Sequence, residues 1–435
     1  MGPNYSDLLE KSLDASRLEL LHLLAHHASM LQMPLYLVGG VVRDILLEYP
    51  VREFDLVVEG DSAVFADYIL KKIGGRVLVH SKFKTATWTI NESTLERLDF
   101  PAFQQTDFSL SFDLVSARSE IYASPGALPT VTRSTIEDDM RRRDFTINAM
   151  AMRLDGNHLG ELVDVLDGRS DLERGVIRVL HSNSFIDDPT RMFRAIRYAE
   201  RYGFEIGPET MRYFNDDAKA VLAALSGERL RHEVDLIFDE TNCVTMLEKV
   251  NELGLLTVVH PAFSSFDPKR LSALQTEPSK GFGEFTIPDM LSFAQTLGWI
   301  LLLIGHSEKD VEEIAERLAF PAQLTKAARG AASLRGDLPS FKDWKPSQWT
   351  FHLDQYPALS VYAAWLASSD EHLRDYLKTW QKIQPFTSGD DLKESGLEPG
   401  PRYKEILTRL RAAWLDEEVG TENEEIDLRN RLIAE

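Results

Sequence analysis

The chain has 435 residues, 43% hydrophobic and 27% charged, enough to bury a core and too many for one compact domain, so about three or four modules are expected. This composition excludes fibrous, collagenous and wholly disordered chains. Lysine and arginine number 48 against 69 aspartates and glutamates, a formal charge of -21, which argues against an indiscriminate polyanion binder with a basic surface all round.

The first thirty residues read as a helix, with Leu8, Leu9, Leu13, Leu18, Leu21 and Leu24 near a 3.6-residue spacing. A run of strand signals follows. Leu35 to Val38 is an apolar strand, Gly39-Gly40 a turn, Val41 to Glu48 a helix and Phe54 to Val58 a second strand. Ser62 to Ile73 reads as a helix capped at Ser62 and ended by Gly74-Gly75. Arg76 to His80, Ala86 to Asn91 and Ser111 to Ala117 are rich in Val, Thr and aromatics and predict three more strands. A small mixed sheet with flanking helices is therefore expected over roughly the first 155 residues. Beyond Leu172 the pattern becomes helical, at Pro189 to Arg201, Pro208 to Leu222 and Gly227 to Phe238, and from Thr245 onward almost no alternating pattern remains. Joints are expected near Gly156, around Pro261 to Glu284 and at Thr387 to Asp391. The acid-rich stretch Asp416 to Asp427 reads as a solvated helix, and Trp344, Trp349, Trp365 and Trp380 as helical core.

The longest apolar run, Leu297 to Gly305, is about half the ~20 residues needed to cross a bilayer, so no membrane span is expected. The start MGPNYSDLLEKSLD lacks the basic and apolar stretches of a secretory signal, and the single cysteine, Cys243, allows no internal disulfide; a reducing cytoplasm fits best. Nucleic acid would have to be gripped by a local basic strip. Arg141, Arg142 and Arg143 are consecutive, and Arg191, Arg194 and Arg197 recur every third residue, although such clusters by themselves are ordinary solvated helix faces.

Chemistry concentrates first in LYLVGGVVRDILL, residues 35 to 47. A glycine pair between strand and helix lets backbone approach a ligand closely, and free N–H groups there suit phosphate. Alone it is a tight turn, and neither a P-loop nor a dinucleotide fingerprint follows. Glu53-Phe54-Asp55 opens the next strand; carboxylates two apart on a strand share a side and can clamp divalent cations. Mg²⁺ takes few carboxylates plus triphosphate oxygens, as in a two-metal polymerase site. His22 and His26 have helical metal-ligand spacing without a companion Glu or Cys, so zinc is not expected. No nucleophile-elbow serine is present.

The order strand, glycine pair, helix and carboxylate-x-carboxylate strand resembles the nucleotidyltransferase superfamily related to DNA polymerase β. Downstream, RRRDFTINAMAM (141 to 152), DDPTRMFRAIRYAERYGF (187 to 204) and SGERLRHEV (226 to 234) are similar to bacterial class II CCA-adding tRNA nucleotidyltransferases and their poly(A) polymerase relatives. HSKFKTATW (80 to 88), ARSEIYASPGALP (117 to 129) and GLEPGPRYKEIL (396 to 407) extend the resemblance over nearly the whole chain.

The resemblance implies an α+β fold: a polymerase-β-like head (1–155), then an all-helical neck that recognises the base (156–260), body (261–386) and tail that binds tRNA (387–435). It implies addition of C and A to the tRNA 3′ end from CTP and ATP without a nucleic-acid template. Glu53 and Asp55 would hold Mg²⁺ in a two-metal site, with Gly39, Gly40, Arg43 and Asp44 around the triphosphate and Arg142, Arg143 and Asp144 at sugar and phosphates. Asn148 is expected one helical turn from Asp144, facing the same side. Asp188 and Arg191 would read the incoming base, since an arginine fork and a carboxylate together match the edge of C or A, with Arg194 and Arg197 on the same helical face in support. Asp113 is a candidate third carboxylate and general base.

One position departs from the family pattern. The first metal carboxylate is usually Asp, and Glu53 adds a methylene, which shifts the metal or demands another rotamer; displacement by about 1 Å at a reacting centre can cost on the order of a hundredfold in rate. The alternatives are a CC-adding or A-adding enzyme, a bacterial poly(A) polymerase and a silent tRNA binder. The polymerase lacks support because VLVHSKFKTATW stands where a basic Gly-Arg-Arg-Phe-like segment is expected. The loop between Asn91 and Arg141 that would separate the partial activities carries no sharp signature, and nothing in the sequence sets the oligomeric state.

Overall fold

The computed structural model describes residues 3–51, 54–80, 85–90, 94, 98, 110–121, 124–127, 129–275 and 285–435. The chain divides into two compact units, Met1–Leu225 and Ser226–Glu435.

In the first unit, the single amino-terminal helix expected from the leucine spacing is two, α1 (Ser6–Ser12) and α2 (Ala15–Met30). Leu13 is extended, and the Asp14 carboxylate accepts the Arg17 N–H to cap α2, a break that continuous leucine spacing conceals. Then come β1 (Leu35–Val38), α3 (Gly40–Leu46), β2 (Asp55–Val58), α4 (Ser62–Lys72), β3 (Arg76–His80), β4 (Thr85–Ile90) and β5 (Leu110–Ser116). These lie within a residue or two of their predicted bounds, and Asp61 rather than Ser62 caps α4, accepting from Ala63 N–H. A hairpin, β6 (Arg118–Ile121) with β7 (Thr130–Arg133), leads to α5 (Ile136–Arg141) and to β8 (Ala151–Arg153) and β9 (Leu162–Val163).

The sheet order is β3-β4-β5-β2-β1-β8-β9. It is mixed: β2 and β5 run parallel and every other neighbouring pair is antiparallel. On one face Tyr36, Val38 and Val57 pack with Ile136 and Met140 of α5 and with Ala149 and Ala151. Phe65, Ala66 and Ile69 of α4 are buried, as are the stacked Trp88 and Phe112, 5.7 Å apart. The unit continues with α6 (Gly168–Arg174), β10 (Val176–Ile177), α7 (Ser184–Asp187), α8 (Arg191–Tyr202), β11 (Glu205–Ile206), α9 (Pro208–Arg212) and α10 (Asp216–Ala223). The helix expected from Pro208 to Leu222 is therefore divided, because Asn215 turns the chain and caps α10 through the Ala218 N–H.

The second unit is helical throughout its described residues, beginning with Gly227–Phe238 at its predicted bounds. Trp299 is buried and donates from Nε1 to Asp235 Oδ1 at 2.6 Å. Of the four tryptophans read as helical core, only Trp349 is fully buried; Trp344, Trp365 and Trp380 are half-buried, and Trp380 lies in a short 3-10 turn. Near the end, Leu392, Ile406, Leu410, Ala413 and Leu428 form a small apolar cluster. Beside it the buried Glu425 carboxylate accepts the Phe386 and Thr387 N–H groups at 2.9 and 2.7 Å and the Trp414 indole N–H. The acid-rich stretch is a helix only from Glu422, where Thr421 and Glu424 form a capping box. No helix among the described residues is long and apolar enough to cross a membrane.

Candidate active site

Strand register brings the first parts together. β1 and β2 run antiparallel with Leu37 opposite Leu56, so Asp55 opens β2 beside the end of β1, where Gly39 and Gly40 turn the chain into α3. Parallel pairing sets Asp55 directly beside Asp113 of β5, and antiparallel pairing sets Thr87 of β4 beside Asp113. Laterally paired residues share a face, so Thr87, Asp113 and Asp55 form one row. That face is the one on which Val57 is buried, yet both aspartates are exposed. Thr87 Oγ1 donates to Asp113 Oδ1 at 2.8 Å. Glu53 lies outside the described residues. Two exposed carboxylates in register suit a hard divalent cation that draws its remaining oxygens from substrate. Among the described residues no group of three or more His, Cys, Asp or Glu is placed to hold a metal.

Gly39 has φ of 72°, a left-handed conformation, and a Cβ there would lie 2.4 Å from Arg143 Nη1. The glycine thus admits the Arg143 guanidinium against the turn. Arg143 and Arg142 are held by one carboxylate. Asp139, fully buried on α5, accepts Arg142 Nε and Nη2 on Oδ1 at 2.9 and 2.8 Å and Arg143 Nη2 on Oδ2 at 3.1 Å. Arg142 Nη1 also donates to Glu120 Oε1 at 3.0 Å.

A second network joins α3 to α8. Arg43 is buried; its Nη1 donates to Asn148 Oδ1 at 2.6 Å, and its Nε and Nη2 donate to Asp44 Oδ1 at 2.9 and 2.8 Å. Asn148 Nδ2 donates to Asp144 Oδ1 at 3.1 Å, and Arg194 Nε and Nη2 donate to Asp144 Oδ2 at 2.9 and 2.5 Å. Burial alone would raise the Asp144 pKa, but the Arg194 guanidinium and the hydrogen bonds from Asn148 and Arg194 outweigh it and hold the carboxyl at about 2. Asp144 and Asn148 do meet as expected, but not across a turn of α-helix. α5 ends at Arg141, and a 3-10 turn at Thr146–Asn148 brings them together.

The remaining candidates lie on α7 and α8. Arg191 is buried, its Nη1 donating to Ser184 Oγ at 2.8 Å and its Nη2 to the Arg142 carbonyl at 3.1 Å, which ties the two basic motifs together. Asp188 Oδ1 accepts the Thr190 hydroxyl at 2.7 Å and its N–H at 3.2 Å. Arg197 is buried with its guanidinium 5.8 Å from the Tyr198 ring centre.

Sequence reasoning missed Asp139, Thr87, Ser184, Tyr198 and Tyr202. Asp139 was within reach, since it lies three and four residues before the two arginines on one helix face. Thr87 meets Asp113, Ser184 meets Arg191, and Tyr198 and Tyr202 meet Arg43 only through the fold.

The sequence and fold have counterparts among known proteins. Residues 35–178 match the model of the Poly A polymerase head domain, and residues 203–267 match that of the probable RNA and SrmB-binding site of polymerase A. An A-adding tRNA nucleotidyltransferase of Halalkalibacterium halodurans is 35% identical over 93% of this chain and 90% of its own length. One from Geobacter sulfurreducens is 32% identical over 98% of this chain, which spans only 50% of that protein. Among solved structures, a CCA-adding enzyme in apo form II aligns with TM-score 0.82 and 27% identity over 100% of this chain and 99% of that one. A Thermotoga maritima CCA-adding enzyme complexed with tRNA aligns at 0.75 with 26% identity over 99% and 98%. A CCA-adding enzyme complexed with ATP aligns at 0.78 with 26% identity over 99% and 98%. With a full-length relative at this identity and the same head fold, the chain belongs to the bacterial-type tRNA nucleotidyltransferase and poly(A) polymerase family of enzymes.

Proposed function

We propose that this chain adds C and A to the 3′ end of tRNA from CTP and ATP, releasing pyrophosphate, without a nucleic-acid template. The observation that carries the reading is the pairing of Asp55 with Asp113 beside the Gly39-Gly40 turn, with two arginine networks converging on the same turn. Glu53 and Asp55 would hold Mg²⁺ as a two-metal site, with Asp113 the third carboxylate beside them, and bound Mg²⁺ supplies charge neutralisation at the α-phosphate and lowers the pKa of the 3′-hydroxyl.

The chain's own residues do the rest. The glycine turn lets the triphosphate approach the backbone, and Arg43, Arg142 and Arg143 balance its charge around Asp44, Asp144 and Asn148. Asp113, oriented by Thr87, accepts the 3′-hydroxyl proton as the oxygen attacks in line. Asp188 offers acceptors and Arg191, positioned by Ser184 and the Arg142 carbonyl, offers its remaining donors to the base edge, with Arg194 and Arg197 behind them. The head, neck, body and tail would occupy 1–155, 156–260, 261–386 and 387–435, with the helical tail gripping tRNA by backbone shape. Such an enzyme works in the cytoplasm.

A second reading, addition of the final A alone, is favoured by the A-adding relatives at 35% and 32% identity. Incubation with Mg²⁺, labelled CTP or ATP, and tRNAs ending at the discriminator base, C or CC tests both. Growth by CCA and then arrest supports the first reading, and extension of only the CC-ending tRNA by one A supports the second. Long A tails would indicate a poly(A) polymerase, and no extension would indicate a binder.

A further inference from the structure

Tyr202 closes α8 on both residues of the Arg43-Asp44 pair, from 158 positions along the chain. Its hydroxyl donates to Asp44 Oδ1 at 3.1 Å, the same oxygen that receives Arg43 Nε and Nη2. Its ring lies against the Arg43 guanidinium, 4.6 Å from the ring centre, and Tyr198 lies 5.2 Å away on the same cation. Tyr49, just past α3, stacks on Tyr202 at 5.8 Å and 19°. Burial, with Asp44 adding to it, raises the Tyr202 hydroxyl to about 12 despite Arg43 and despite the hydrogen bond and charge of Arg201, so it keeps its proton across the working range. One side chain thus fixes the carboxylate that holds the arginine and covers the arginine's face.

We infer that Tyr202 is a positioning residue for nucleotide binding: it holds Arg43 and Asp44 in the orientation that receives the triphosphate, and thereby links the glycine turn to the helix that carries Arg191 and Arg194. This rests on the reading above in which the turn and Arg43 face the triphosphate. Arg43 Nη2 would be 3.3 Å from a Cβ on Gly40, so small tilts of the guanidinium reach the turn directly. The triphosphate is common to CTP and ATP, so loss of Tyr202 weakens both nucleotides by the same factor. Base choice, made elsewhere on α8, is unaffected.

The test compares wild type, Tyr202→Phe and Tyr202→Ala for KM and kcat with CTP and ATP on matching tRNA primers, alongside thermal melting. Tyr202→Phe keeps the stack and removes the hydroxyl, so KM should rise roughly threefold; Tyr202→Ala removes both, so KM should rise roughly tenfold or more. In both variants kcat and the ratio of CTP to ATP use stay at wild-type values, and Phe restores most of what Ala loses. Unchanged KM in both variants, or a fall in kcat at constant KM as a merely structural role would give, overturns the assignment while leaving the proposed reaction standing. Wild-type protein that extends no primer overturns the reaction and this role together.

Discussion

Asp144→Asn keeps the shape of the side chain and removes its charge from the centre of the second network. The carboxylate is buried and meets a two-pronged arginine, and a fall in pKa from 3.8 to about 2 corresponds to about 2.5 kcal/mol in favour of the ionised form in the fold. Arg194 remains partly exposed and can be resolvated, so the loss should be near 2 to 3 kcal/mol, at the lower edge of the range for breaking a buried pair. Because the folded pKa is depressed, the stabilisation is complete above the unfolded value of about 3.9 and is lost as pH falls from there through about 2. Urea unfolding of wild type and variant at pH 7 and at pH 5 should therefore give the same difference at both. At pH 3, between the two values, the difference should be smaller; a difference that stays constant from pH 5 to pH 3 would mean that Asp144 has the same pKa folded and unfolded and that the Arg194 pairing does not hold it ionised.

Gly39→Ala forces a side chain into a left-handed backbone and against Arg143, and should cost about 2 kcal/mol in unfolding experiments together with nucleotide affinity. A variant of wild-type stability would contradict the close packing at that turn. Glu425→Gln should lower the stability of the second unit by about 2 kcal/mol, because an amide replaces one of two oxygens that accept the Phe386, Thr387 and Trp414 donors. Burial raises the Glu425 pKa, but those hydrogen bonds outweigh it and lower the value overall, so the contribution is full above the ordinary glutamate range and fades only at more acidic pH. Arg191→Ala should blur selection between CTP and ATP in competition assays, and unchanged selectivity would remove Arg191 from base reading.

Much of the head was legible because short Val- and Leu-rich strands are bounded by glycines. β1, the turn at Gly39, β2 and α4 all follow local signals, and the carboxylate spacing at Asp55 marks a candidate site before the fold is known. What stayed hidden depends on distant partners. β8 runs through Ala-Met-Arg, residues without β-branching, and is a strand because it pairs with β1. The split at Leu13 lies inside unbroken leucine spacing, so only the Asp14 cap reveals it. Asp113 gained weight from its register beside Asp55, a relation between strands more than fifty residues apart in sequence. The contact of Tyr202 with Arg43 and Asp44 gives no local signal, since those two residues lie on α3.

Asp55 offers the most direct measurement. Asp55→Ala should abolish nucleotide incorporation into a tRNA primer in the presence of Mg²⁺ while tRNA affinity, followed by filter binding on the same preparation, stays at the wild-type level. Retained turnover, or loss of tRNA binding in step with activity, would contradict the assignment of the Asp55 and Asp113 row as the reaction centre.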